Sequence, residues 1–276
     1  CILFYRLGDF YEMFFDDALL VTRELEITLT GKDCGLSERA PMCGVPFHAL
    51  DSYLYRLVQK GYKVAIAEQM EDSRQAKGLV KREVIRVVTP GTITSSQVLD
   101  ETKNNYLMGI VYMDGIYGIS TADISTGDFM VTEVDSDREL FDEINKFSPS
   151  EIICNNAFYM SGVDMDELKN RYQVVISALD SRFFGEESCR RILMEHFKVG
   201  ALVGLGLEDY ATGIIAAGAV MQYIYETQKS TLEHITTITP YSTGQYMVID
   251  TSTRRNLELV ETMREKQKRG TLLWVL

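Results

Sequence analysis

The sequence predicts an α/β protein in two parts, and three observations carry that reading. Runs rich in aromatic and β-branched residues alternate with helical periodicities through residues 1–90. A second series of strand-like runs opens at Tyr106, after a polar stretch, with three strands in quick succession. The chain has 276 residues, enough for two separate cores.

Taken in order, the aromatic run Phe4 to Phe15 reads as an opening strand, with Gly8-Asp9 as a bend or bulge that lets the backbone approach a ligand closely. Phe10 and Glu12 are two residues apart and so share a face of that strand. Asp16 to Leu25 is predicted helical, with acids in its first turn and Ala18, Val21 and Leu25 on one side. Ile27 to Thr30 reads as a short strand, and Gly31 to Gly35 as a loop. The Pro41 to Pro46 segment carries too many turn residues to be regular throughout. Asp51 or Ser52 is placed to cap a helix through Leu54, Leu57 and Val58. Strands at Tyr62 to Ala67 and Glu83 to Val88 complete a mixed α/β domain over residues 1–90.

Residues 91–104 are polar and weakly patterned, as a linker is. Tyr106 to Met113, Tyr117 to Ile124 and Phe129 to Val134 form an antiparallel meander joined by Asp114-Gly115 and Ser125 to Asp128. A helix at Asp137 to Phe147 and a strand at Glu151 to Cys154 follow, then helices at Glu186 to Phe197 and Glu208 to Lys229. The last has Ala211, Ile214, Ile215, Gly218 and Tyr225 on one apolar face. A meander followed by alternating helices and strands is the pattern of an RNase H-like α/β sheet, here over residues 105–239. Such sheets can carry two-metal nucleases, which need an acid in the middle of the first strand. That strand holds none: Asp114 lies in the turn, and Asp123 is isolated on the neighbouring strand. Residues 240–276 open with a predicted strand at Tyr246 to Asp250 and a helical run through Leu257, Val260 and Met263. They pass through a charged loop and stop in the apolar Leu272 to Leu276, which predicts a cut within a further helical domain.

Composition excludes several functions. The sequence has no Gly-x-x-x-x-Gly-Lys-Ser/Thr loop, and Gly200 to Gly206 reads as an interhelical turn, so no nucleotide site is predicted. Five cysteines without a Cys-x-x-Cys pair predict free thiols in a reducing cytoplasm, and the scattered histidines offer no metal spacing. The most apolar stretch falls short of the roughly 20 residues that span a bilayer, so no membrane partner is expected. The net charge is −12, but residues 1–98 hold 12 Lys/Arg against 13 Asp/Glu, and the acidity lies beyond them. Between positions 74 and 86, Arg74, Lys77, Lys81, Arg82 and Arg86 face only Glu83, a local excess suited to phosphate contact, although without further context a solvated loop is the plainer reading.

An aromatic side chain beside a carboxylate suits insertion into a base stack, the acid accepting a hydrogen bond from a displaced base. Alone, Phe10-x-Glu12 equally fits a buried Phe and a solvated Glu. Its context is more specific. Phe10-Tyr11-Glu12-Met13-Phe14-Phe15-Asp16-Asp17-Ala18, Pro41-Met42-Cys43-Gly44-Val45-Pro46-Phe47-His48-Ala49, Val88-Thr89-Pro90-Gly91-Thr92, Thr121-Ala122-Asp123-Ile124-Ser125-Thr126-Gly127 and Ser252-Thr253-Arg254-Arg255-Asn256-Leu257-Glu258 occur in this order. Together they resemble the N-terminal part of the bacterial MutS family of DNA mismatch repair proteins. The resemblance implies a mismatch-recognition domain, a connector domain of RNase H-like α/β fold and the start of a helical core or lever domain. It implies that Phe10 is the intercalating wedge and Glu12 the base-contacting acid, with Lys32, Lys77, Lys81 and Arg82 at or beside positions that contact the DNA backbone. It further implies a cytoplasmic, nucleoid-associated homodimer in which ATP and magnesium are handled by a C-terminal domain outside this chain, so that the chain itself is no enzyme. The partners implied are mismatched duplex DNA and, through the connector, MutL. The alternative reading is a protein-docking module that binds MutL without touching DNA.

Overall fold

The computed structural model describes residues 1–276 except 36, 72–79, 95–103, 246–248, 250 and 266. Two six-stranded mixed sheets organise it. The first is built from β1 (Ile2–Leu7), β2 (Phe10–Phe14), β3 (Thr30–Lys32), β4 (Ala40–Pro46), β5 (Val64–Gln69) and β6 (Arg82–Val88), in the order β3-β4-β2-β1-β5-β6. The second uses β7 (Tyr106–Met113), β8 (Ile116–Asp123), β9 (Asp128–Val134), β10 (Glu151–Cys154), β11 (Val175–Ala178) and β12 (Thr239–Pro240), in the order β11-β10-β7-β8-β9-β12.

The opening aromatic run is a hairpin, not a single bent strand. Leu7 pairs with Phe10 across Gly8-Asp9, and Gly8 takes φ +58°, a conformation L side chains rarely adopt. The segment from Pro41 is likewise regular, against expectation. It forms β4, antiparallel to β2 and β3, because its prolines stand at or next to the strand ends, where a missing N–H costs little. The short strand expected at Ile27 to Thr30 forms later, at Thr30–Lys32. Helices α1 (Phe15–Leu25) and α2 (Leu50–Gln59) cover one face of the sheet, burying Ala18, Val21 and Leu25 and Leu54, Leu57 and Val58 against Phe4, Tyr11, Met13 and Ile66. The N-cap of α2 is Ala49, with no side-chain cap, so neither Asp51 nor Ser52 serves there.

The second sheet is covered on both faces. Its meander β7-β8-β9 has the expected antiparallel pairing, and β10 and β11 add in parallel beside β7. This is the strand arrangement of an RNase H-like sheet. On one face lie α3 (Asp137–Phe147), α4 (Asn156–Tyr159) and α5 (Met165–Tyr172), burying Leu140, Ile144, Phe158 and Leu168 against Met108, Ile110 and Ile119. On the other lie α6 (Glu186–Phe197) and α7 (Ala211–Gln228), whose Ile214, Ala217, Val220 and Ile224 meet Leu107, Ala122 and Val131. Double coverage explains why β7 reads as a continuous apolar run without alternation. Helix α7 buries nearly its whole circumference rather than the one face expected of it. Its Gly218 touches α6 so closely that a Cβ there would lie 2.2 Å from the Cβ of Cys189.

The expected linker is partly structured. Pro90–Thr92 forms a buried turn of 3-10 helix, while residues 95–103 lie outside the described residues. Most of the strand expected at Tyr246 to Asp250 lies outside them too. The helical run after it is shorter than expected, ending as α8 (Thr251–Asn256), and α9 (Leu272–Val275) is a single exposed turn. Among the described residues no helix is long and apolar enough to cross a membrane.

Two measurements test this packing. Gly218→Ala forces α6 from α7 and is expected to lower unfolding free energy by about 1–3 kcal/mol in urea titration; an unchanged midpoint would contradict the contact. Burial pushes the Cys43 thiol up to about 11, and those of Cys154 and Cys189 up to about 12, whereas Cys1 and Cys34 are exposed. A thiol reagent at pH 8 should therefore modify two cysteines of the folded chain and reach the other three only in denaturant.

Candidate nucleic-acid interface

Alternation along β2 sends Tyr11 and Met13 into the core and Phe10, Glu12 and Phe14 to the sheet face opposite the helices. Phe10 is 47 % exposed although it starts a strand flanked on both sides. It is held by backbone pairing to Leu7 on β1 and Pro46 on β4, and the adjoining Asp9 carbonyl accepts a 2.9 Å bond from the Phe47 amide. The ring is thus an exposed apolar group on a fixed backbone.

Glu12 stands between Tyr5 on β1 and Gly44 on β4. A Cβ on Gly44 would lie 3.7 Å from the Glu12 Cγ and 3.8 Å from the Phe10 ring, so glycine keeps the ground between carboxylate and ring open. Lys32, on the edge strand β3, places its Nζ 2.5 Å from Glu12 Oε2 and 5.5 Å from the centre of the Phe14 ring. The expected backbone-contacting lysine is therefore the carboxylate's ion-pair partner. Paired through one oxygen, the carboxylate keeps further lone pairs with which to accept a donor from outside.

The remaining expected cations fall elsewhere. Arg82, at the start of β6, donates from Nε to the Arg6 carbonyl (2.8 Å) and from Nη1 to the Val80 carbonyl (2.9 Å), with its guanidinium 5.1 Å from the Tyr5 ring centre. Lys81 pairs with Glu83 at 2.6 Å on the surface, which raises the lysine's pKa and lowers the glutamate's. Arg74 and Lys77 lie outside the described residues. Lys32, Glu12, Tyr5 and Arg82 thus form a line of cation, anion, ring and cation across the open face.

Sequence reasoning missed the support beneath. Arg6 lies 4.1 Å from the Phe47 ring centre and 3.6 Å from Glu68, and Glu68 accepts a hydrogen bond from the Tyr11 hydroxyl. Phe47 is itself 43 % exposed at the same end of the sheet as Phe10. Only the register Phe10–Pro46 brings these residues together, and it was hidden while the Pro41 to Pro46 segment read as irregular.

Comparison with known proteins decides the family. The family model for MutS domain I matches residues 1–97, and that for MutS domain II matches residues 105–236. This chain belongs to the MutS family. Relatives named DNA mismatch repair protein MutS match it along its whole length: that of Lachnoclostridium phytofermentans at 63 % identity, of Acetivibrio thermocellus at 54 % and of Clostridium tetani at 46 %. The chain spans 30 %, 32 % and 30 % of those proteins, respectively.

Within the MutS domain II match, the isolated acid has a structural occupation. Asp123 is fully buried and accepts from the amides of Asn105 (3.0 Å) and Ser125 (2.8 Å) and from the Ser125 hydroxyl (2.6 Å), closing the turn after β8. Among the described residues no group of three or more His, Cys, Asp or Glu side chains is placed to hold a metal ion.

The Tyr11–Glu68 bond carries a pH signature. Burial, with Glu68 second, pushes the Tyr11 phenol up to about 12. A phenol pKa raised by folding adds stability that is complete below pH 10 and is lost as pH rises toward 12. The stability difference between the native chain and Tyr11→Phe should accordingly shrink by on the order of 2 kcal/mol across that interval in denaturant titrations. A difference independent of pH would remove Tyr11 from the network.

Proposed function

We propose that this chain is the mismatch-reading part of a DNA mismatch repair protein, and that it recognises mispaired or unpaired bases in duplex DNA through Phe10. The observation that carries this reading is the exposed Phe10 ring on a paired backbone, with the Glu12 carboxylate on the same face and a glycine, Gly44, beside it on β4. In this reading Phe10 enters a base step from the minor groove and kinks it. A mispaired step unstacks more cheaply than a paired one, so deformability supplies the discrimination. Glu12, held by Lys32, accepts a hydrogen bond from a displaced base. Lys77, Lys81 and Arg82 supply phosphate contacts that fix register without reading sequence.

The division into a recognition domain (1–90), a linker (91–104), a connector (105–239) and the start of a helical core (240–276) belongs to the same reading. So do cytoplasmic location near the nucleoid, homodimerisation, and the use of ATP and magnesium by the whole protein. A second role, docking of MutL on the connector, is supported by the exposed Tyr159 and Met160 at the end of α4 in the acidic part of the chain.

The test belongs in the full-length protein. Phe10→Ala should cost mismatch binding about 1–3 kcal/mol and leave matched-duplex affinity nearly unchanged. Arg82→Ala should weaken both duplexes alike and reduce the slope of log K against log salt by about one. Equal losses on both duplexes for a folded Phe10→Ala protein would make Phe10 a packing residue and end the wedge assignment.

A further inference from the structure

The Val88-Thr89-Pro90-Gly91-Thr92 motif has no part in the site above, yet all five residues are buried. The turn closes on itself, the Thr92 amide donating to the Thr89 carbonyl (3.0 Å) and the Thr89 amide to the Thr92 hydroxyl (3.0 Å). Its outward groups meet Glu151, the first residue of β10 in the second sheet, which is fully buried. One carboxylate oxygen accepts from the Thr89 hydroxyl and the Gly91 amide (3.1 Å). The other accepts from Lys63 Nζ (3.0 Å) and the Tyr223 hydroxyl (2.8 Å), and Lys63 also donates to the Tyr223 hydroxyl at 2.9 Å.

The ownership of these donors is uneven. Tyr223 sits on α7, behind the second sheet, while Lys63, Thr89 and Gly91 all come from the stretch that builds the first sheet. A buried carboxylate is tolerated only when paired and fully hydrogen-bonded. Most of what satisfies Glu151 is therefore supplied by the other unit. The fit is close as well: a Cβ on Gly91 would lie 3.0 Å from the Cβ atoms of both Glu151 and Leu107. Two flanking bonds join the same seam, from Gln228 to the Thr92 carbonyl (3.3 Å) and from Asn105 to the Pro90 carbonyl (3.0 Å).

We propose that Glu151 and the Thr89–Thr92 turn form a latch that makes the first sheet and the second move as one body. A reorientation of the Phe10 end is then delivered to the second sheet, not absorbed in the covalent link between them. The proposal concerns the joint alone and stands whichever ligand Phe10 meets.

Residual dipolar couplings on the 276-residue chain measure this directly. Amides of the two sheets should fit one alignment tensor in the native chain. In the double variant Lys63→Met with Thr89→Val, which removes two donors from the first unit and leaves Glu151 its tyrosine, the common tensor should be lost and each sheet should fit its own. Amide shifts away from the seam report that both sheets remain folded. Should the double variant not fold, Thr89→Val alone is read the same way. Thr89→Ser, which keeps the hydroxyl, should restore the single tensor. Two tensors in the native chain, or one tensor persisting in the folded variant, would overturn the latch. Loss of mismatch binding in Phe10→Ala with the single tensor intact would separate failure at the joint from failure at the tip.

Discussion

The two-residue period of β2 is the constraint on which the rest of the candidate site depends. Tyr11 and Met13 pack among Phe4, Val45 and Cys43, and their burial fixes which face Phe10 and Glu12 occupy. A slip of one residue would exchange the two sets, bringing a carboxylate into the core and a tyrosine out. That exchange is opposed by the burial of two large side chains, each worth about 1.5–3 kcal/mol, and by the cost of an unpaired buried charge. The exposure of Phe10 is thus enforced by its neighbours.

Much of this was legible in the sequence and part was not, for definite reasons. The period of β2, the apolar stripes of α1 and α2 and the meander of β7, β8 and β9 are local patterns, and each could be read directly. Gly8-Asp9 was recognised as a break, but a bulge and a two-residue hairpin turn use the same residues. What separates them is the pairing of Leu7 with Phe10. Pro41 and Pro46 concealed β4 because two prolines and a glycine argue against a strand until it is known that the prolines stand near its ends. The ion pair of Lys32 with Glu12, and the Arg6–Glu68–Tyr11 network, join residues 20 to 62 positions apart. No periodicity reports such contacts.

The charged groups show how an acidic chain can present a surface to a polyanion. The overall charge of −12 opposes approach at long range, but potential near a surface follows local placement, and beyond about 10 Å salt screens the remainder. On the open face, Lys32 and Arg82 flank Glu12 and Tyr5. Arg82 uses two of its donor nitrogens on backbone carbonyls, neutral acceptors, and among the described residues it forms no ion pair. Lys81, by contrast, spends its charge on Glu83. Exposed pairs of that kind are weak, so the lysine is cheaply released to another anion. The two cations therefore differ in kind: Arg82 is anchored on neutral acceptors, and Lys81 is held by an exposed ion pair.

The tip and the seam are joined by the shortest route the first sheet offers. Lys63 immediately precedes β5, and Glu68 lies near its other end; Arg82 opens β6, and Thr89 follows its last residue. Strands β5 and β6 pair antiparallel along this length, with a register shift between Ile66 and Ala67. Each strand therefore carries one group of the Phe10 end and one group of the Glu151 cluster, separated by about 17 Å along β5 and about 23 Å along β6 at roughly 3.3 Å per residue. Paired strands resist stretching and sliding, because either motion breaks several backbone hydrogen bonds together. A displacement of Arg6 and Glu68 at the tip is thus carried along two coupled strands to the donors that hold Glu151. The bulge at Ile66 and Ala67 is the point along this path where the pairing is irregular, and where bending is least opposed.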